Sequence, residues 1–353
     1  MSDTKKKKVN KRIAVSIVKV LAFVLALIFA LTALSYTFFA KEKTGQFSDT
    51  KYFYSTVYTN EKENTIQIGL FGNSDLYSAF CPAGMFCMYG YTGTVVAAPR
   101  QSASESYYLL NDFLKKQSPD VIVFECDMLY SDYPDDFENG VAKYKSGLPT
   151  IRFFNDKTIE EFTEEELSIF KFHDRWKQLI LSSPANTDTY MHGYFFSKRV
   201  FKNAHRSPYI DENDKVEPLE SDVVRYVTLA KELCDEYGID FALMSVPSAN
   251  TWSYARHNAV QQLSDELGIK FLDMSIEPEG FDIDYSVDFR DEGNHVNYYG
   301  AKKTTAYAGN WFSENYDLTC HRYDEEYSYW LDDLEKMYEE KGVAKGRQFK
   351  TLV

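Results

Sequence analysis

The sequence predicts an α/β domain built on a parallel sheet and carried behind one N-terminal transmembrane helix. Three observations point there. Apolar runs at 65–71, 120–126, 239–247 and 269–272 are separated by amphipathic stretches, the alternation expected of strand–helix–strand units. Val121 to Phe124 is continuously apolar, as a strand covered on both faces must be. A helix, a glycine and a strand also follow one another twice, through Gly238 and Gly268, each glycine standing where a left-handed C-cap belongs.

The chain opens with a basic tail over residues 1–12, which holds Lys5, Lys6, Lys7, Lys8, Lys11 and Arg12. Residues 13–40 read as the transmembrane helix, with Val20 to Ala40 free of charge. At ~1.5 Å per residue that run crosses a hydrocarbon core about 30 Å thick. Lys19 can snorkel to the inner interface, and Tyr36, Phe38 and Phe39 fall at the outer one. The positive-inside rule puts the amino terminus in the cytoplasm and the rest outside, a single-pass cell-membrane protein with an extracellular domain. Against a cleaved signal peptide stand the length of the run and the bulky residues around Ser35–Ala40.

Of the 353 residues 44% are hydrophobic and 16% aromatic, ample for a core, and the net charge is -14. The basic tail makes the remainder more acidic still. A domain of that sign repels nucleic acid unless it carries a local basic patch. The five cysteines, Cys81, Cys87, Cys126, Cys234 and Cys320, form no CxxC pair, so thiol redox chemistry and structural zinc lack support. Cys81 and Cys87 are near enough to bridge in an oxidising compartment, and Cys126, after a strand, is expected to be buried.

Residues 41–63 read as a stalk. The domain spans 64–320, with an insertion at about 130–215, and 321–353 is a C-terminal helix and tail. Ile66, Ile68 and Leu70 alternate as a strand, and Gly72 releases the backbone into a turn. Cys81 to Arg100 reads as a glycine-rich loop with a short strand at Thr94–Ala97. Glu105 to Lys115 is a helix stopped near Pro119. Thr163 caps a helix running to Leu181, and residues 185–215 form a charged connection whose basic residues stand out in an acidic domain. Helices follow at 222–237, 254–267, 299–316 and 322–342, and the tail from Gly342 reads as loose.

Two pieces carry chemistry. Gly72-Asn73-Ser74-Asp75 sets a serine past a strand end, at the sheet edge where α/β ligands bind. Far downstream, Asp288-Phe289-Arg290-Asp291-Glu292-Gly293-Asn294-His295-Val296-Asn297 supplies a histidine with acids just before it. Serine, imidazole and carboxylate fit a nucleophile, its base and the orienter of that base. His173, His192, His205, His257 and His321 are scattered without metal-ligand spacing. Asp282 and Asp284 read as a solvated acidic pair, so no metal site is expected.

Together these pieces resemble the SGNH/GDSL hydrolase superfamily, and more closely its membrane-anchored Gram-positive members, the DltD-like proteins. Phe172-His173-Asp174-Arg175-Trp176 and Asn297-Tyr298-Tyr299-Gly300-Ala301 look like that subgroup too. The resemblance covers most of residues 60–316. It implies a three-layer α/β/α, flavodoxin-like domain with Ser74 as nucleophile, His295 as base and a nearby acid. The superfamily's usual spacing points to Glu292, the subgroup's pattern with one extra residue to Asp291, which is preferred; Asp288 is the third candidate.

The resemblance also implies an oxyanion hole. Gly93 or Gln101 are its candidate donors beside the serine's own N–H, with Asn73 in support. The asparagine the superfamily places after its third strand is missing, and Glu125-Cys126-Asp127 stands there instead. Asn294, Arg100, Lys198 and Arg199 are candidate substrate contacts. No cofactor is implied. What is implied is esterase or O-acyltransferase chemistry on a cell-envelope polysaccharide or teichoic-acid-type polymer, beside a membrane-bound O-acyltransferase. The rival expectation is a degenerate domain that binds polymer or scaffolds a membrane complex.

Overall fold

The computed structural model describes residues 3–38, 57–130 and 189–351. Helix α1, Asp3–Phe38, contains the stretch Lys11–Leu31, long and apolar enough to cross a membrane. That window lies nearer the basic tail than the uncharged run beginning at Val20. The helix at 163–181, with His173, and residues 41–56 of the stalk lie outside the described residues.

In the domain, five strands form one parallel sheet: β1 Ile68–Gly72, β2 Gly93–Ala97, β3 Val121–Glu125, β4 Asp240–Ser245 and β5 Lys270–Asp273. Their order is β2-β1-β3-β4-β5. Gly72 lies beside Ala97 and Phe71 beside Phe124, so the carboxyl ends of β1, β2 and β3 share one edge. Every residue of β1, β2 and β3 is buried, as a doubly covered parallel sheet requires. Phe113, Phe71, Phe124 and Phe241 pack in a row with ring centroids 5.0–5.8 Å apart.

The helices are α2 Ser74–Ala79, α3 Pro82–Tyr89, α4 Ala103–Phe113, α5 Ser221–Tyr237, α6 Tyr254–Leu267, α7 Tyr285–Asp288, α8 Tyr298–Asn315 and α9 Tyr329–Lys341. α3 packs with α8 and α9, whereas α4 packs with α5. Right-handed crossovers place these groups on opposite faces of the sheet. The chain winds outward from β1 in both directions, which creates a crevice between β1 and β3 at the carboxyl edge, the place where ligands bind in sheets of this order.

Several expectations change. The stretch read as a loop from Cys81 holds helix α3, started by Pro82 and ended by Gly90 in the left-handed region. Its Gly84 is a packing glycine, because a Cβ there would lie 2.4 Å from the Phe349 ring. That same ring, 6% exposed, shows the tail to be docked and not loose. Cys81 and Cys87 stand at the two ends of that helical stretch, and both are free thiols. Gly72 serves by close approach and not by a positive φ: a Cβ there would meet Glu125 Cβ at 2.7 Å and Leu76 at 2.9 Å. The segment before β1 also packs, with Tyr58 buried and its hydroxyl donating to Asp112 at 2.8 Å.

Candidate active site

Ser74 is the first residue of α2, immediately past β1. Asn73 caps that helix, its Oδ1 accepting from the Asp75 N–H at 2.9 Å while its Nδ2 donates to Asp127 Oδ2 at 2.6 Å. Asp127 follows β3, so the hydrogen bond spans the crevice between β1 and β3. Ser74 is half-buried, whereas Asp75 points inward and is 4% exposed.

The histidine arrives on a closed loop. Phe289 and Val296 form an antiparallel bridge, and the Arg290 N–H donates to the His295 carbonyl at 3.0 Å. Buried Asn297 caps α8, and its Nδ2 faces the carbonyls of Val287, Arg199 and Phe289 at 2.7, 3.0 and 3.2 Å. Gly293 adopts φ +116, and a Cβ there would lie 2.7 Å from Ala249 Cβ, so two constraints demand glycine. The Ala249 N–H and Asn250 Nδ2 donate to the Gly293 and Glu292 carbonyls, pinning the loop to the connection after β4.

Within the loop, Asp291 is the acid that reaches the imidazole. Asp291 Oδ2 lies 2.5 Å from His295 Nδ1, and its Oδ1 faces the N–H groups of Gly293, Asn294 and His295 at 3.3, 3.0 and 3.0 Å. Burial would raise the Asp291 pKa, but the hydrogen bonds from His295 and the backbone outweigh it and hold the carboxyl down to about 2. Glu292 is exposed. Asp288 is buried elsewhere, accepting from Lys303 Nζ and the Asp284 N–H, each at 2.7 Å.

The other face of the imidazole meets a carboxylate that the sequence reading passed over. His295 Nε2 is 3.4 Å from Asp75 Oδ1, and Asp75 Oδ2 accepts from the Thr251 hydroxyl at 3.2 Å. Thr251 is placed by its neighbour Trp252, whose indole N–H donates to Asp273 at the end of β5. Burial, then repulsion from Asp127 and Glu125, pushes the Asp75 pKa well above the ordinary range. Among the described residues no hydrogen bond joins the Ser74 hydroxyl to His295. Tyr77, one turn along α2 from the serine, packs against Phe195 with ring centroids 5.7 Å apart, and the Arg290 guanidinium lies over the same Phe195 ring. The aspartate directly after the serine was the available signal for Asp75; Thr251 and Tyr77 had none.

The proposed oxyanion donors are not brought here. Gly93 begins β2 beside Ile68, at the amino edge of the sheet and four residues of strand from the Ser74 end. Gln101 lies after β2 but is fully buried, its Nε2 donating to the Val96 carbonyl and Ser106 Oγ. Glu125, also fully buried, accepts from the Asp127 N–H at 2.8 Å, and its Oε2 has no partner. Burial, then repulsion from Asp127, raises its pKa. Among the described residues these carboxylates form no metal-holding group.

The expected substrate contacts divide. Asn294 belongs to the histidine loop, with a buried Oδ1 that lacks a partner. Arg100 is exposed, at φ +59, in the connection after β2. Lys198 is occupied capping α9, donating to the Lys341 and Gly342 carbonyls at 2.5 and 3.1 Å. Arg199 is exposed and contributes its carbonyl to Asn297. Beside the site, a groove of about 500 Å³ is lined by Tyr209, Asp211, Glu217, Asn250, Thr251 and Arg256, among others.

No family model matches the chain, and no curated protein matches it. Among solved structures it is similar to a candidate acylhydrolase from Bacteroides fragilis, at 10% identity and a TM-score of 0.36, over 74% of this chain and 94% of that one. It is also similar to a GDSL-like lipase from Bacteroides thetaiotaomicron, at 10% identity and a TM-score of 0.34, over 74% and 96%. Likenesses this loose carry nothing about activity. The fold rests on strand order and the site on its own geometry.

Proposed function

We propose that this chain is a membrane-anchored serine acyl-transfer or deacylating enzyme of SGNH type, acting on O-acyl esters of a cell-envelope polysaccharide or teichoic-acid-type polymer. The observation that carries the reading is the His295–Asp291 pair, backed by three N–H groups and set in the crevice where Ser74 leaves β1. Ser74 attacks the acyl carbonyl, His295 takes its proton, and Asp291 fixes the tautomer that leaves Nε2 free to do so. For that step the imidazole moves from Asp75 to the serine. An acceptor hydroxyl or water then repeats the step in reverse, with His295 again as base.

Basic residues at the amino end of α1 support a cytoplasmic terminus and an external domain. A membrane-bound O-acyltransferase is the fitting partner for an acyl carrier held at the membrane surface. One observation favours the second reading, a catalytically silent scaffold: His295 Nε2 faces Asp75 and not Ser74.

Intact mass spectrometry of the full-length chain in detergent, after a fluorophosphonate and separately after an activated acyl ester, separates the two. A single adduct on Ser74, absent in Ser74→Ala and lost or greatly slowed in His295→Ala, is expected. Folded wild-type protein that takes no adduct sinks the self-sufficient enzyme and leaves the scaffold.

A further inference from the structure

The site as described has a nucleophile, a base and an orienter, but of the expected oxyanion donors only the Ser74 N–H stands there. Gly93 is at the wrong edge, the Gln101 amide is spent, and the third strand delivers carboxylates. Attack on an acyl carbonyl puts a full charge on oxygen, and here that oxygen forms near Asp75, Asp127 and Asp291. Without a fixed positive partner those carboxylates repel it, at short range and away from bulk water, where Coulomb energies are large.

Arg290 meets that need. It precedes Asp291 on the histidine loop, its Nε 3.8 Å from Asp291 Oδ2. Its guanidinium lies over the Phe195 ring at 4.4 Å, and its side chain is 14% exposed. Phe195 also packs against Tyr77, ring centroids 5.7 Å apart, and Tyr77 lies one turn along α2 from Ser74, so Arg290 stands one aromatic layer from the serine's helix. The Phe195 N–H donates to the Tyr77 carbonyl at 2.7 Å, so platform and phenol are tied together. Arg290 Nη1 is buried and has no hydrogen-bond partner. A buried charged donor left without a partner is costly, which makes the unpartnered Nη1 of Arg290 informative.

We propose that Arg290 is a catalytic residue whose guanidinium binds the oxyanion formed when Ser74 attacks an acyl ester. The inference rests on Ser74 being the nucleophile. In the step, the Oγ–carbon bond forms, the carbonyl π pair moves onto oxygen, and the Oγ proton passes to His295. On collapse the C=O bond re-forms, and the leaving alkoxide departs with the proton from His295. Arg290 gains and loses no proton, as suits a group that stays charged throughout. Charge arrives at Arg290 only in the transition state, so the arrangement favours rate over ground-state binding.

The test follows Ser74 modification in the full-length chain in detergent, using a fluorophosphonate and p-nitrophenyl acetate. Wild type is compared with Arg290→Met, Arg290→Lys and Arg290→Gly, the last with and without added ethylguanidinium. Removing one oxyanion donor elsewhere costs about 10²–10³ in rate. Arg290→Met is expected to fall by that order, Arg290→Lys by less, and ethylguanidinium to restore part of the Arg290→Gly rate at an unchanged thermal midpoint. Ser74 modified in Arg290→Met within about threefold of wild type overturns the assignment while leaving the serine reading intact. A slow Arg290→Gly that ethylguanidinium does not rescue, with a lowered midpoint, overturns it in favour of a structural role. No modification of Ser74 in wild type removes both.

Discussion

Two histidines in this domain are each held between two carboxylates, in unlike surroundings. His295 has Asp291 on Nδ1 at 2.5 Å and Asp75 on Nε2 at 3.4 Å. His192 has Glu61 on Nδ1 at 2.8 Å and Asp333 near Nε2 at 3.3 Å, the latter off-line for a hydrogen bond. The difference lies around them. The His295 side chain is 20% exposed, at the carboxyl edge of the sheet beside a serine. The His192 side chain is 3% exposed and stacked on Trp330 at 3.8 Å, and its carbonyl accepts from the Val95 N–H beside the edge strand. The carboxylate contacts are alike; access and the serine next to Asp75 separate a candidate base from a clamp joining the segment before β1, the β2 edge and α9.

The sharpest break of that comparison is chemical. Asp291→Asn is expected to slow Ser74 modification by about 10³–10⁴, since the orienter of a serine–histidine pair contributes on that order. His192→Gln, assayed well below its unfolding temperature, should leave the rate unchanged. Equal losses in the two variants would erase the distinction drawn here.

Next in size is stability. Burial lowers the His192 pKa, but the Glu61 and Asp333 carboxylates outweigh it and push the ring up to about 9. The protonated ring is the folded form, so its contribution is full below the unfolded value near ~6.5 and fades as pH rises through about 9. That difference corresponds to about 3 kcal/mol. Thermal midpoints across this window should converge for wild type and His192→Gln toward high pH, and a constant gap would remove the clamp.

Asn297 blurs the boundary usefully, because it is scaffold by chemistry and site by position. Asn297→Ala removes a helix cap and the donor to three carbonyls, a loss of about 2 kcal/mol. Denaturant unfolding should show it, together with a severalfold fall in Ser74 modification as the histidine loop loosens. A large activity loss at unchanged stability would instead place Asn297 in the chemistry.

The smallest effect has the opposite sign. Burial raises the Glu125 pKa, so folding favours the protonated acid and stability falls as pH climbs above the unfolded value near ~4.3. Glu125→Gln imitates the protonated form. Its midpoint at neutral pH should rise by roughly 2–4 °C, about 1 kcal/mol in a domain of this size, and the gain should vanish near pH 4. A lower midpoint at neutral pH would mean that the ionised carboxylate is wanted there.

Sequence by itself determined the local structure, because local structure is written in spacing. The strands at 68–72, 121–125, 240–245 and 270–273, the glycine caps after α5 and α6, and the apolar N-terminal helix all follow from periodicity and backbone preference. The serine past β1 and the histidine loop were equally legible as residue types in a pattern. Tertiary structure decided what distance in the chain conceals. Gly84 looked like a loop signal until Phe349 filled the space a Cβ would need, and Gly93 looked like a donor until strand register put it at the amino edge. Asp75 met the imidazole, and Thr251 met Asp75, only when β1, the connection after β4 and the closed loop came together at one crevice. Spacing governs contacts a few residues apart, whereas a site gathers side chains whose proximity depends on strand order and packing.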